Sequence, residues 1–133
     1  MTAAIQRLNP EGLANHRASI YSQLVVTSGG RTVYLSGQVA RDAEGRTVGA
    51  GDVAAQAEQV ILNLKTALAA ADASLRDLVK VTVYTTDLRH MPAIDEVRRR
   101  HFTDHLPIST LLEVRKLSKP DYLVEIDGIA VVP

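Results

Sequence analysis

The sequence contains no cysteine. That excludes disulfides, thiolate nucleophiles and zinc–thiolate sites. Aromatic residues are scarce: one Phe, four Tyr and no Trp. Net charge is absent too, with 15 Lys plus Arg against 15 Asp plus Glu. Such a chain lacks the basic field and the stacking surfaces of a dedicated nucleic-acid binder. It also repels itself little, which permits self-association. No run of apolar residues is long enough for a membrane span. The opening Met-Thr-Ala-Ala-Ile-Gln-Arg lacks a charged segment followed by an apolar stretch. No signal peptide is therefore expected, and the default location is the cytoplasm.

What is present is an ordinary globular composition: 133 residues, 46% apolar and 23% charged. That suits one domain spanning residues 1–133. Ala3 to Leu8 is expected as a short strand, followed by the Asn9-Pro10-Glu11-Gly12 turn. Tyr21 to Ser28 is β-rich, and Thr32 to Val39 alternates Val33, Leu35, Gly37 and Val39 with polar neighbours. The Gly29-Gly30 turn between them is expected to close a β-hairpin. Asp52 can cap a helix running to about Asp72, with Val53, Ala57, Val60, Ile61, Leu64, Leu68 and Ala71 inward. Gln56, Glu58, Gln59, Asn63 and Lys65 fall on its outer face.

Val79 to Thr86 is an alternating strand. Pro92 opens a second helix reaching about Asp104, with Ile94, Val97 and Phe102 inward, and Pro107 ends it. Ser109 to Val114 and Leu123 to Val132 are strands. The order β-β-β-α-β-α-β-β predicts an α+β fold with one mixed six-stranded sheet and two helices on one face. Leu24-Val25-Val26 and Ile129 to Val132 are apolar on both strand faces. The second sheet face is therefore expected to be covered by another copy of the chain.

Six segments occur in a definite order. They are Tyr21-Ser22-Gln23, Leu35-Ser36-Gly37-Gln38-Val39, Asp52 through Ala55-Gln56, Asn63-Leu64 with Ala69-Ala70-Ala71, Val79 through Tyr84, and Leu123 through Ala130. In order and spacing the chain closely resembles the RidA (YjgF/Endoribonuclease L-PSP) family over nearly its whole length. The resemblance implies a bacterial chorismate-mutase-like fold and a homotrimer whose sheets form a central barrel. Three clefts at subunit interfaces would each hold a small-molecule ligand. The implied activity is hydrolysis of reactive enamines and imines, released by pyridoxal-phosphate enzymes, to ketones and ammonia. By the same resemblance Glu125 is the acid/base, while Tyr21 and Ser36 offer hydroxyls and Gly37 lets the backbone approach a ligand.

The sequence departs from the family pattern where substrate is held. Catalytic relatives place an arginine in a Pro-Ala-Arg-Ser/Thr motif to bind a substrate carboxylate. Here that stretch reads Pro107-Ile108-Ser109-Thr110, so Ser109 replaces the arginine. A serine offers one neutral hydrogen bond where a guanidinium offers a charged pair. Arg115 shares strand parity with Ser109 but lies six residues away, roughly 20 Å along a strand. It cannot reach within one chain. The family's asparagine near the cleft is Asp95, its small cleft residue is Leu111, and the Gly-Pro before the tyrosine is Ser19-Ile20. Substrate choice is thus expected to shift toward a ligand without a free carboxylate at that end.

Taken alone, the residues leave plainer readings open. Glu125 could face solvent or pair across an interface, Tyr21 and Ser36 could be ordinary strand residues, and Asp95 could lie on a solvated helix face. His101 and His105 are spaced i, i+4 but lack a third metal ligand, and His16 and His90 fall in loops. Arg98-Arg99-Arg100 is expected to be solvated. No metal or cofactor is anticipated. The leading function is an imine/enamine deaminase with altered specificity, weak on 2-aminoacrylate. The alternatives are a non-catalytic trimeric metabolite binder and, opposed by the neutral charge, an RNA-cleaving protein.

Overall fold

A computed structural model describes residues 4–14 and 20–133. The expectations for Ala3, His16 and Ser19 lie outside the described residues. Strand β1 is Ala4–Leu8, β2 is Leu24–Ser28, β3 is Arg31–Val39, β4 is Leu78–Thr85, β5 is Ile108–Glu113 and β6 is Val124–Val132. Helix α1 spans Val53–Ala69 and α2 spans Met91–His101. Two 3-10 turns, Leu75–Asp77 and Leu88–His90, lead into β4 and α2. No helix among the described residues is long and apolar enough to cross a membrane.

The expected mixed sheet and two helices are present, but the six strands divide into two sheets. β1 pairs antiparallel with β2, and the other four run in the order β3-β6-β4-β5. Only β4 and β5 are parallel, joined across α2, as a parallel pair requires. The expected β2–β3 hairpin does not form. Gly29 and Gly30 have φ of 67° and 79°, and a Cβ on Gly30 would lie 2.6 Å from the Val132 carbonyl. The double glycine therefore turns the chain out of the β1–β2 ribbon and into register with β6.

Both helices cover one face of the four-stranded sheet. From β6, Val124, Ile126 and Ala130 are buried beneath them, together with Val81 and Val83 of β4. Ile61, Leu64 and Leu68 of α1 and Ile94 and Val97 of α2 close the same core. Asp52 caps α1 by accepting from the Ala55 amide at 3.1 Å, as its position before the apolar stripe suggests.

The polar face expected on α1 is only partly solvated. Gln56 is fully buried. Its amide donates to the carbonyls of Asp121 (2.7 Å) and Gly49 (3.2 Å) and accepts from the Leu123 amide (2.8 Å). Asn63 donates to the carbonyls of Val39 (3.0 Å) and Arg41 (2.9 Å). These side chains satisfy loop backbone that would otherwise be orphaned, so the helix fixes both the start of β6 and the end of β3. The two histidines do not share a helix face. His101 pairs with Glu58 of α1 at 2.7 Å, whereas His105 lies past the helix end and meets Arg76.

Gln56→Ala should lower the free energy of unfolding by about 2–3 kcal/mol, because it orphans buried backbone groups. Urea denaturation checks this, and a change within the scatter of surface variants would show that water replaces the side chain freely.

Candidate functional site

The alternation of β6 decides which residues can meet. Even positions face the helices, so Glu125 and Asp127 project from the opposite, open face. Across the ladder Glu125 pairs with Tyr84 and Asp127 with Thr82. The Tyr84 hydroxyl donates to Asp127 Oδ2 at 2.9 Å. Partial burial pushes the Glu125 carboxyl above the usual glutamate range, and the negative charge of Asp127 adds to the rise. Hydrogen bonding to Asp127, reinforced by burial, raises the Tyr84 hydroxyl as well.

Gly37 belongs to this group for a steric reason. Between Leu35 and Gln38 the β3–β6 register shifts by one residue, a bulge. There the chain lies so close to Glu125 that a Cβ on Gly37 would sit 2.5 Å from Glu125 Oε2. The glycine thus gives the carboxylate its place. Ser36 is exposed beside it on β3. Thr110, paired with Thr82 across β4–β5, is exposed on this same open face.

A second group gathers at the start of β5, the edge strand. Ser22 forms a parallel bridge with Ile108. Its amide donates to the Pro107 carbonyl at 2.9 Å and its hydroxyl to the Leu106 carbonyl at 2.7 Å. Tyr21, half-buried, is thereby held beside the β5 edge. Ser109 pairs with Val81, a core residue, so its side chain lies on the helix side of the sheet. Leu111, two residues on, packs against the core. Ser109, Thr110 and Leu111 therefore cannot all line one surface, because consecutive strand residues point to opposite faces.

Two expectations for α2 are corrected. Asp95 is not on a solvated face; it is buried, 5% exposed. Nor is the arginine run wholly solvated. Arg99 and Arg100 are exposed, but Arg98 is 1% exposed. Its Nη2 donates to Ser109 Oγ at 2.9 Å and to the Ile20 carbonyl at 3.4 Å. A guanidinium of the same chain thus reaches Ser109. The signal was in the helical spacing. Arg98 follows Ile94 by four residues and adjoins Val97, so it continues the inward stripe.

The candidate residues thus form two groups on opposite faces of one sheet. Glu125, Gly37, Ser36 and Thr110 belong to the open face. Ser109, Tyr21, Asp95 and Arg98 belong to the β5 edge and the helix side. Hollows of about 460 Å³, bordered by Arg41 and Asn63, and about 430 Å³, bordered by Arg7 and His105, lie away from this chemistry. Among the described residues no cluster of three or more His, Asp or Glu could hold a metal ion.

Comparison with known proteins adds to this geometry. The chain matches the family described as Endoribonuclease L-PSP over residues 13–132. It is 40% identical over 111 residues to the protein DfrA of Myxococcus xanthus, covering 84% of each chain. It is 32% identical over 127 residues to the 2-iminobutanoate/2-iminopropanoate deaminase of Dermatophagoides farinae, covering 96% of this chain and 97% of that one. Its backbone matches the crystal structure of YyfB, a Rid-family protein of unknown function from Yersinia pestis. That match has a TM-score of 0.89 at 30% identity and covers 96% of this chain and 98% of the other. By sequence over nearly its whole length, and by fold, the chain belongs to the RidA family, the Endoribonuclease L-PSP group.

Proposed function

We propose that this protein hydrolyses imines or enamines to a carbonyl compound and ammonia, at clefts shared between the subunits of a homotrimer, with Glu125 as the acid/base. The observation that carries the reading is a half-buried glutamate whose carboxylate lies so near Gly37 that a Cβ there would come within 2.5 Å of Oε2, and burial raises its pKa. Relatives named as 2-iminobutanoate/2-iminopropanoate deaminases support the reaction class.

The steps balance without a cofactor. The Glu125 carboxylate takes a proton from water as the water oxygen bonds to the imine carbon, and it passes that proton to the imine nitrogen. The resulting carbinolamine then breaks its C–N bond. Glu125 takes the proton of the carbinolamine hydroxyl as the carbonyl forms and gives it to the departing nitrogen, which leaves as ammonia. A raised pKa brings the carboxyl nearer neutral pH, where one group can both accept and donate.

The split site supports assembly from several copies. Glu125 and Ser109 lie on opposite faces of one sheet, so they can border one ligand only across a boundary between copies. The exposed Tyr34 and Leu112 lie on the open face and give such a boundary apolar surface. The loss of the arginine at position 109 implies weak action on 2-aminoacrylate, whose carboxylate has lost its usual partner. It also favours a second reading, a trimeric metabolite binder that no longer turns over its ligand.

Three variants test this. Glu125→Gln should reduce ammonia release from a panel of imines by about a hundredfold or more, the usual scale for general acid–base loss. Equal rates in both proteins would leave only the binder. The same variant should not be less stable at neutral pH. The folded-state pKa of Glu125 lies above its unfolded value, so its stability contribution is present below the unfolded pKa and lost as pH rises through the folded one. Replacing it with a neutral amide removes that loss, so melting temperatures should be equal or higher at neutral pH, and a clear drop in calorimetry would contradict the assignment. Asp127→Asn removes the charge that helps hold the Glu125 pKa up, so the acid limb of the kcat/KM profile should move to lower pH. Gly37→Ala should fold normally but displace the carboxylate, giving a large loss of kcat at unchanged melting temperature.

A further inference from the structure

The open face of the sheet carries two carboxylates in different settings. Glu125 and Asp127 are alternate residues of β6, so they project from the same face, roughly 7 Å apart along the strand. Glu125 takes no hydrogen bond from any described residue. Asp127 takes one, from the Tyr84 hydroxyl to its Oδ2 at 2.9 Å. The register makes that choice informative. Tyr84 stands directly across from Glu125, and Thr82 is the residue across from Asp127. The phenol therefore reaches diagonally, past the nearer carboxylate to the farther one.

A phenol has a single proton to donate. The bond to Asp127, reinforced by burial, holds that proton on Tyr84 above the usual phenol range. At neutral pH the hydroxyl thus remains a donor, committed to Asp127. Like charges on one face of a strand repel. Untethered, the Asp127 side chain would turn away from Glu125 into water. Tethered, it keeps a negative charge one strand step from the acid. No cation offsets that charge. On the neighbouring strands, Glu125 meets Val39 and Gly37 of β3 and Tyr84 of β4, with Leu112 of β5 beyond. Lys80, the lysine of this face, is in register with Ile129, two residues past Asp127. Burial acts first on Glu125, and the charge that acts with it is that of Asp127.

We infer that Tyr84 is a positioning residue for Glu125 and acts through Asp127: its hydroxyl tethers the second carboxylate beside the acid, so that Glu125 is the carboxyl that carries the proton. Asp127 need not touch substrate; it serves as a fixed charge. Two carboxyls, one bonded to a donor and one bare, are thereby given separate roles. The inference deepens the hydrolytic reading and rests on it for the use of that proton, but not for its test.

The test reads Glu125 itself, by NMR titration of labelled glutamate carboxyl carbons in the intact protein. The signal is assigned by its absence from Glu125→Gln, and no substrate is needed. Tyr84→Phe keeps the ring, and with it the burial of Glu125, and removes the hydroxyl alone. The Glu125 midpoint should fall, leaving the protonated fraction at neutral pH about twofold lower or more, because a charge one strand step away has been released. Asp127→Asn should lower it at least as far, and adding Tyr84→Phe to Asp127→Asn should bring no further fall. In ammonia-release assays Tyr84→Phe should move the acid limb of the kcat/KM profile to lower pH. A rise of the midpoint in Tyr84→Phe would mean that the phenol serves Glu125 directly, and would overturn the inference. So would an unmoved midpoint, whatever the change in melting temperature, or a further fall in the double variant. The expected movement with no ammonia released from any imine would uphold the positioning role while removing the hydrolase reading.

Discussion

The two-residue period of the sheet governs everything else in this molecule. β6 lies between β3 and β4, and its alternation sends Val124, Ile126 and Ala130 into the core and Glu125 and Asp127 to the open face. β5 alternates in the same way, with Ser109 and Leu111 toward the helices and Thr110 away. A one-residue slip in β6 would exchange these sets and bury carboxylates in a hydrocarbon interior, and one in β5 would turn Leu111 out of the core. The register is therefore strongly fixed, and with it the separation of the functional residues into two groups. On the proposed reading, such a chain holds two halves of a site that a neighbouring copy would join.

The carboxylate group shows how a local irregularity serves this arrangement. The bulge in β3 brings Gly37 against the Glu125 carboxylate. Asn63 of α1 holds the backbone immediately beyond, at Val39 and Arg41. Helix, bulge and acid are thus coupled through a few short contacts. Tyr84 and Asp127 complete the setting by a hydrogen bond on the same face. Burial raises the pKa of Glu125, and Asp127 keeps it raised.

Much of this was legible in the sequence. Alternation in residues 123–132 located β6 and put Glu125 opposite the core, and Asp52 and Pro92 marked the two helix starts. Family resemblance supplied the fold and singled out Glu125 as the proposed acid. Other features were hidden because sequence pattern does not register tertiary demand. Gln56 looked solvent-facing, yet distant loop backbone needed its amide. Gly29-Gly30 looked like a hairpin turn, but the partner of β3 is β6, nearly a hundred residues later in the chain. Arg98 was misread as surface because its neighbours Arg99 and Arg100 are. Helical geometry points three consecutive residues in three directions, and the inward one carries the consequence for Ser109.

The claim that one ligand site draws Glu125 from one copy and the β5 edge from the next is open to direct measurement. Two inactive variants, Glu125→Gln and the double variant Tyr21→Ala with Ser109→Ala, can be co-expressed and the mixed oligomers assayed for ammonia release. In a closed ring of head-to-tail contacts, random mixing leaves roughly a quarter of the clefts with both halves intact, so activity should return to about that fraction of wild type. Mixed oligomers no more active than either parent, or a purified protein that sediments as a monomer, would contradict a shared site.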